Sequence, residues 1–294
     1  MHATMNAPVK PNHSTKQPRI VIQGYSGAFH EIAARYFSAP TEPEIVPADT
    51  FARLVKMVES GAECDFGLMA IENTLAGSLI GNYKLLTSSY LRVTGEIFLR
   101  IKQNLMVLPG CTLSDLTEVH SHPIAIAQCL EYFSELPHIK LVDATDTALS
   151  ARIISEQKTP HIGAIASELA AELYGLEIIA PEIETNKKNF TRFLVVHSTD
   201  RAPIITSANK VSLAVHVDHE VGSLHKVLAA IAAHNANLTK IQSVPIMGRD
   251  WEYEIFLDFV TEKPNTYRPI LEAIEPLTHE MKLLGAYQTG KHYD

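Results

Sequence analysis

Between Arg19 and about residue 198 the chain repeats one pattern. A short run of β-branched and aliphatic residues is followed by a turn residue, and then by apolar residues at helical spacing. The alternation predicts an α/β domain with a largely parallel sheet, because parallel neighbours need a helix-sized crossover. Strands are expected at Arg19–Gln23, Phe66–Ile71, Leu91–Leu99, Leu105–Leu108, the run ending at Val119, His161–Ala166, Leu176–Ala180 and Phe193–Val196. Asp49-Thr50-Phe51 and Asp146-Thr147-Ala148 read as helix starts, Ser167 as an N-cap, and Ser60-Gly61 and Gly175 as stops. Ser121 or His122 is placed to cap a helix running from Ile124 to Phe133, with Pro123 in its first turn.

After Thr199-Asp200-Arg201-Ala202-Pro203 the rhythm changes to strand, helix, two strands, helix and strand within about 85 residues. That βαββαβ order is ferredoxin-like. The expected organisation is therefore a tail over 1–18, an α/β domain over 19–200, a linker over 201–209 and a smaller unit over 210–294.

Composition narrows the function classes. A formal charge of −8 repels polyanions, which disfavours nucleic acid and anionic membrane as partners. No apolar run approaches the roughly 20 residues of a membrane span. The polar, proline-bearing N-terminal segment lacks the apolar stretch of a signal peptide, so a cytoplasmic protein is expected. Cys64, Cys111 and Cys129 are widely spaced and lie in or beside apolar segments, which fits reduced buried thiols.

The polar residues that could act on a ligand gather where strands end, the usual place for ligands in open α/β sheets. Ser26 follows the first strand in a glycine turn that opens a helix, an anion-binding arrangement. Glu72, Asn73, Thr74 and Ser78 follow the predicted strand Phe66–Ile71. Ser121 ends another strand, with Gln128 about two turns further on. Thr191 and Arg192 stand at the mouth of the apolar run that begins at Phe193. His120 and His122 have no third ligand at suitable spacing, so neither metal nor cofactor is expected.

These stretches together resemble the prephenate dehydratase family with a C-terminal ACT regulatory domain. The matching segments are Gly24-Tyr25-Ser26-Gly27-Ala28-Phe29, Ile71-Glu72-Asn73-Thr74-Leu75-Ala76-Gly77-Ser78, Ser121-His122-Pro123 with Gln128, Asp146-Thr147-Ala148, Ala166-Ser167 through Leu176, and Asn189-Phe190-Thr191-Arg192-Phe193. The resemblance implies two lobes of periplasmic-binding-protein type with the site between them, and conversion of prephenate to phenylpyruvate. It implies Thr191, Glu72 and Asn73 as catalytic residues. Ser26, Thr74, Ser78, Ser121, Gln128, Arg192 and Phe193 would bind substrate. It also implies a homodimer or homotetramer that binds L-phenylalanine as a feedback inhibitor. The positions for that ligand are Gly222, Ser223, Leu224, Asn237, Leu238, Thr239, Gln242 and Ser243. Here Gln242-Ser243-Val244-Pro245 departs from the Glu-Ser-Arg-Pro of many regulated relatives. With no chorismate mutase segment before residue 19, a monofunctional chain is expected. The alternatives are arogenate dehydratase and a non-catalytic amino-acid-responsive binding protein.

Overall fold

The computed structural model describes residues 17–294, so the expected tail lies outside the described residues up to position 16. The first part of the chain runs through β1 (Arg19–Gln23), α1 (Phe29–Ser38), β2 (Glu44–Ala48), α2 (Phe51–Ser60), β3 (Phe66–Asn73), β4 (Gly77–Ser78), α3 (Ile80–Thr87) and β5 (Leu91–Arg100). It then leaves for a second sheet through β6 (Asn104–Val107), β7 (Glu118–Ser121), α4 (Pro123–Gln128), α5 (Leu130–Ser134), β8 (Lys140–Asp143), α6 (Thr147–Gln157), β9 (Ile162–Ala166), α7 (Glu168–Tyr174) and β10 (Glu177–Ala180). Finally β11 (Phe190–Ser198) returns to the first sheet, between β5 and β3.

Two separate sheets replace the largely parallel one expected. β1, β2 and β3 are parallel, but β11 is antiparallel to both β3 and β5. The second sheet, ordered β10-β6-β9-β7-β8, is parallel only through β8, β7 and β9. The reason is the double passage between lobes. A chain that leaves one sheet and later re-enters it from the other side comes back running the opposite way.

The helices start and stop where expected, and Ser167 caps α7. Thr50 accepts from Arg53 N, Asp146 from Leu149 N and Ser167 from Ala170 N, while Gly61 and Gly175 are left-handed. The helix expected over 124–133 is instead two short pieces, α4 and α5, broken at Cys129 with φ −113° and ψ 7°. Its cap is His122, whose Nδ1 accepts from Ile124 N. All three cysteines are free, and burial pushes the thiols of Cys64 and Cys129 up to about 11 and 12.

The C-terminal part, β12 (Lys210–His216), α8 (Ser223–Ala233), β13 (Asn237–Pro245), β14 (Tyr253–Val260), α9 (Arg268–Ile274) and β15 (Glu280–Tyr287), has the βαββαβ order. Its antiparallel sheet runs β13-β14-β12-β15. Period-two alternation divides the two faces. Val211, Leu213, Val215, Ile255, Leu257 and Phe259 pack under α8 and α9, whereas Ala214, Phe256, Leu284 and Tyr287 join a core shared with Tyr83 and Leu86 of α3 and Val93, Leu194 and Val196 of the first sheet. Each such large apolar side chain contributes about 1.5–3 kcal/mol on full burial. Beyond β15 the chain turns back, and β16 (His292–Tyr293) pairs with the edge of β5. There His292 stacks on Phe98 at 4.5 Å and Tyr293 on Tyr36 at 4.4 Å.

Candidate functional site

The two passages between the sheets lie side by side. Ile101 N donates to Asn189 O and Ile183 N to Gln103 O, both at 2.7 Å. On the opposite rim, α7 closes against the first glycine turn. Ser167 Oγ donates to Gly27 O at 2.5 Å, and a Cβ on Gly27 (φ +87°) would meet Ala170 Cα at 2.8 Å. Only glycine permits that approach. Between these contacts lies a cavity of about 400 Å³ lined by both lobes.

One face of β11 forms part of its wall. Thr191 pairs with Asn73 and Phe193 with Ala70 across the β11–β3 ladder, and all four line the cavity. The register slips by one residue at Ile71, so that Arg192 pairs with Glu72 on the other face. This bulge re-aims the strand end. Uninterrupted alternation from Phe66, Leu68 and Ala70 would send Glu72 to the cavity and Asn73 away from it. The bulge inverts the two.

The cavity face is a chain of neutral amides. Asn73 Oδ1 accepts from the backbone N–H groups of Leu75 (2.9 Å) and Ala76 (2.8 Å), which fixes the orientation of its carboxamide. Its Nδ2 therefore donates, to Asn189 Oδ1 at 2.8 Å and to Thr191 Oγ1 at 3.0 Å. Asn189 Nδ2 in turn donates to Gln128 Oε1 at 2.9 Å, which also accepts from Gln103 Nε2 at 3.2 Å. Among the described residues no Lys or Arg lines the cavity, while His30, His122 and Asp146 do. Burial lifts the Asp146 carboxyl above its usual range, with the backbone bonds of its cap opposing, and drives His30 down to about 4, so its imidazole is neutral. The N-terminal residues of α1 (Phe29, His30) and α6 (Thr147) also border the space.

The other face of β11 is charged and closed. Arg192, 5% exposed, donates through Nε to Glu96 at 2.7 Å, through NH1 to Asp258 at 2.5 Å and through NH2 to Tyr287 Oη at 2.9 Å. Lys210 Nζ holds both oxygens of Glu96 at 2.9 Å, and Ser212 bonds Tyr287 Oη. Lys240 from β13 reaches Glu72 at 2.7 Å and Ser78 Oγ at 2.5 Å.

Five expected site residues therefore line the cavity: Thr191, Asn73, Gln128, Phe193 and Ser78. Five stand elsewhere. Glu72 and Arg192 face the C-terminal unit. Ser121 is wholly buried and donates to Ile165 O at 2.7 Å, holding β7 to β9. Thr74 ties its loop to Lys188 O and Phe190 N, both at 2.9 Å. Ser26 is exposed, offering its carbonyl to Tyr174 Oη, and the N–H expected to bind an anion at Gly27 is taken by Glu31 at 2.8 Å. His120 bonds Glu118 at 2.9 Å. Gly222, with φ +86°, caps α8 and Ser223 is buried in its first turn, while Leu224 packs beneath. Asn237, Leu238, Thr239, Gln242 and Ser243 lie along β13, the edge strand. Reading the sequence missed Gln103, Asn189 and His30 as parts of the site. Asn189 had a signal, its place in the Thr191 segment, but Gln103 had none.

A mainly apolar cleft between two α/β lobes, with a few converging polar groups, defines a site for a small organic molecule. The family model described as prephenate dehydratase matches residues 20–201. The chain belongs to the prephenate dehydratase family, lyases of aromatic amino acid biosynthesis. It is 31% identical over 278 residues to the bifunctional chorismate mutase/prephenate dehydratase of Escherichia coli, covering 92% of this chain and 70% of that one. It is 34% identical over 283 residues to arogenate dehydratase/prephenate dehydratase 2 of Arabidopsis thaliana, covering 92% and 72%. Among solved structures, GqqA, described as a novel type of quorum quenching acylase, superposes with a TM-score of 0.81 at 30% identity, covering 92% and 98%. The prephenate dehydratase of Arthrobacter aurescens in complex with L-Phe gives 0.80 at 26%, covering 92% and 90%. Among the described residues no helix is long and apolar enough to cross a membrane.

Proposed function

We propose that the chain converts prephenate to phenylpyruvate, with Thr191 assisting the leaving hydroxyl. In this reaction the bond from the ring to its carboxylate breaks, the electron pair moves through the ring, and the C–O bond opposite breaks as the ring becomes aromatic. The enzyme's task is to stabilise the departing oxygen in a dry cleft. One observation carries the reading. Asn73 Nδ2 occupies a lone pair of Thr191 Oγ1, and the Asn73 amide cannot turn over because two backbone N–H groups hold its oxygen. The Thr191 proton is left to point elsewhere, and the cavity lies beside it. The proton that completes the departing water comes from Asp146, the one carboxyl on the wall among the described residues. Its raised pKa keeps the acid form to higher pH, so the rate falls as pH rises through that value, and Asp146→Asn, which retains a helix cap, flattens the limb. The substrate's carboxylates meet the N-terminal ends of α1 and α6, since no Lys or Arg among the described residues lines the cavity.

An acylase reading, suggested by the likeness to GqqA, needs a base to activate a nucleophile. Thr191 Oγ1 instead receives a hydrogen bond from an amide, which favours the dehydratase. The βαββαβ unit is an ACT domain that binds L-phenylalanine between copies of the chain. The complex of the Arthrobacter relative with L-Phe supports this, and calorimetry without a heat signal at millimolar L-phenylalanine would reduce the unit to an assembly device. The test of the reaction is phenylpyruvate formation, followed by its absorbance in alkali. Turnover by the wild type and its loss in Thr191→Ala are expected. Wild-type turnover in that variant would remove Thr191 from the mechanism, and an inert wild type on both prephenate and arogenate would end the dehydratase reading.

A further inference from the structure

Gln103 sits where the chain first passes between the lobes, 2% exposed and on the cavity wall. Its Nε2 is committed to Gln128, while its Oε1 is buried without a hydrogen-bond partner. A buried amide oxygen left bare costs free energy, so natural proteins rarely keep one without a use. A flip of the side chain would not relieve it. The backbone N–H groups of Leu75 and Ala76 orient Asn73, Asn73 orients Asn189, Asn189 orients Gln128, and Gln128 then presents only an oxygen to Gln103. The bare acceptor is thus dictated from the far end of the amide chain.

We infer that Gln103 is a specificity-determining residue whose Oε1 accepts a hydrogen bond from a substrate ammonium, so that the site is built for the amino form, arogenate, as well as or ahead of the keto form. This rests on the dehydratase reading above. Prephenate has one hydrogen-bond donor, the ring hydroxyl, and Thr191 attends that group. Its carboxylates and ketone only accept, and a ketone oxygen facing Gln103 Oε1 would be repelled. Arogenate adds a second donor, the ammonium. Gln103 is four hydrogen bonds from Thr191 along the amide chain, which suits a group at the other end of the molecule from the leaving hydroxyl. Behind Gln103 the Glu184 carboxylate, its side chain wholly buried, accepts from Gln103 N at 2.9 Å. It adds negative potential, offset in part by Arg100 at 3.5 Å.

The test is kcat/KM for arogenate and prephenate in the wild type, Gln103→Met and Gln103→Glu. Met keeps the length and removes the acceptor together with the Nε2 donor to Gln128, a loss shared by both substrates. It should lower kcat/KM for arogenate about 10- to 100-fold more than for prephenate, the range for a hydrogen bond to a charged group. Glu keeps the acceptor oxygen and adds charge, while its second oxygen meets Gln128 Oε1 at a cost common to both substrates, so the arogenate-to-prephenate ratio should rise. An equal loss on both substrates in Gln103→Met, or no loss, overturns the inference, because a merely structural role does not move the ratio. If the Met variant fails to fold, an unchanged or lower ratio in Gln103→Glu overturns it. A wild type active on prephenate alone refutes the inference and leaves the dehydratase reading standing. One inactive on both substrates refutes that reading first.

Discussion

Thr191 and Arg192 are neighbours on one strand and face opposite worlds. On the Thr191 side the polar groups are neutral, linked amide to amide, and the chain of bonds ends in groups with something left to give: a hydroxyl proton and the oxygen of Gln103. On the Arg192 side the groups are charged and closed, with Glu96, Asp258 and Tyr287 filling the guanidinium and Lys210 filling Glu96. The contrast separates two uses of burial. Charges taken out of water must find partners at once, so the charged face serves to join two units. Dipoles cost less to leave open, so the neutral face can wait for a ligand.

The contrast breaks most visibly at Thr191. Thr191→Ala should lower kcat by about 10²- to 10⁴-fold, the usual span for assistance to a leaving group, with the thermal midpoint nearly unchanged. Thr191→Ser should recover much of the rate, and a loss of stability as large as the loss of rate would show that the hydroxyl is structural. On the other face, Glu96→Gln leaves Arg192 and Lys210 short of an anion. It should cost about 3–5 kcal/mol in denaturant unfolding, with little change in KM for the folded protein. A loss below about 1 kcal/mol would mean that the network relaxes freely.

Acid should come next. The folded His30 imidazole takes its proton only near 4, against 6.5 when unfolded, so between those values the unfolded chain binds more protons. Stability therefore falls as pH drops from 6.5 toward 4, by roughly 3 kcal/mol from this group. His197, also held down to about 4 by burial, adds a loss of the same sign. His30→Gln should flatten that slope in urea titrations across pH, and an unaltered slope would refute the assignment. The smallest effect belongs to Glu72. Glu72→Gln should keep kcat/KM within about 3-fold and cost about 1 kcal/mol or less, because Glu72 itself is one-third exposed. A hundredfold loss would return Glu72 to the catalytic set.

The legible part of this molecule was local. Helix starts at Thr50 and Asp146, the cap at Ser167 and stops at Gly61 and Gly175 depend on a few neighbouring residues, and each appears where its sequence pointed. The site was legible where it followed strand ends, as with Asn73 and Thr191. It failed where one residue changes a strand's phase. The bulge at Ile71 leaves no signature in composition, yet it decides which of Glu72 and Asn73 sees the cavity. Gln103 was hidden for a related reason. Its significance is a missing bond, and a missing bond depends on every partner around it.

The short strand β16 carries a mechanical consequence. The C-terminal unit enters from β11 and, through β16, returns to the edge of β5, so it is mounted at both ends on adjacent strands of one sheet. A body held at one point can swivel without disturbing its support, but one held at two can only twist or shear it. Any tilt of this unit is therefore torque on β5 and β11. Those strands run directly into the paired passages at 101–103 and 181–189 that join the two lobes.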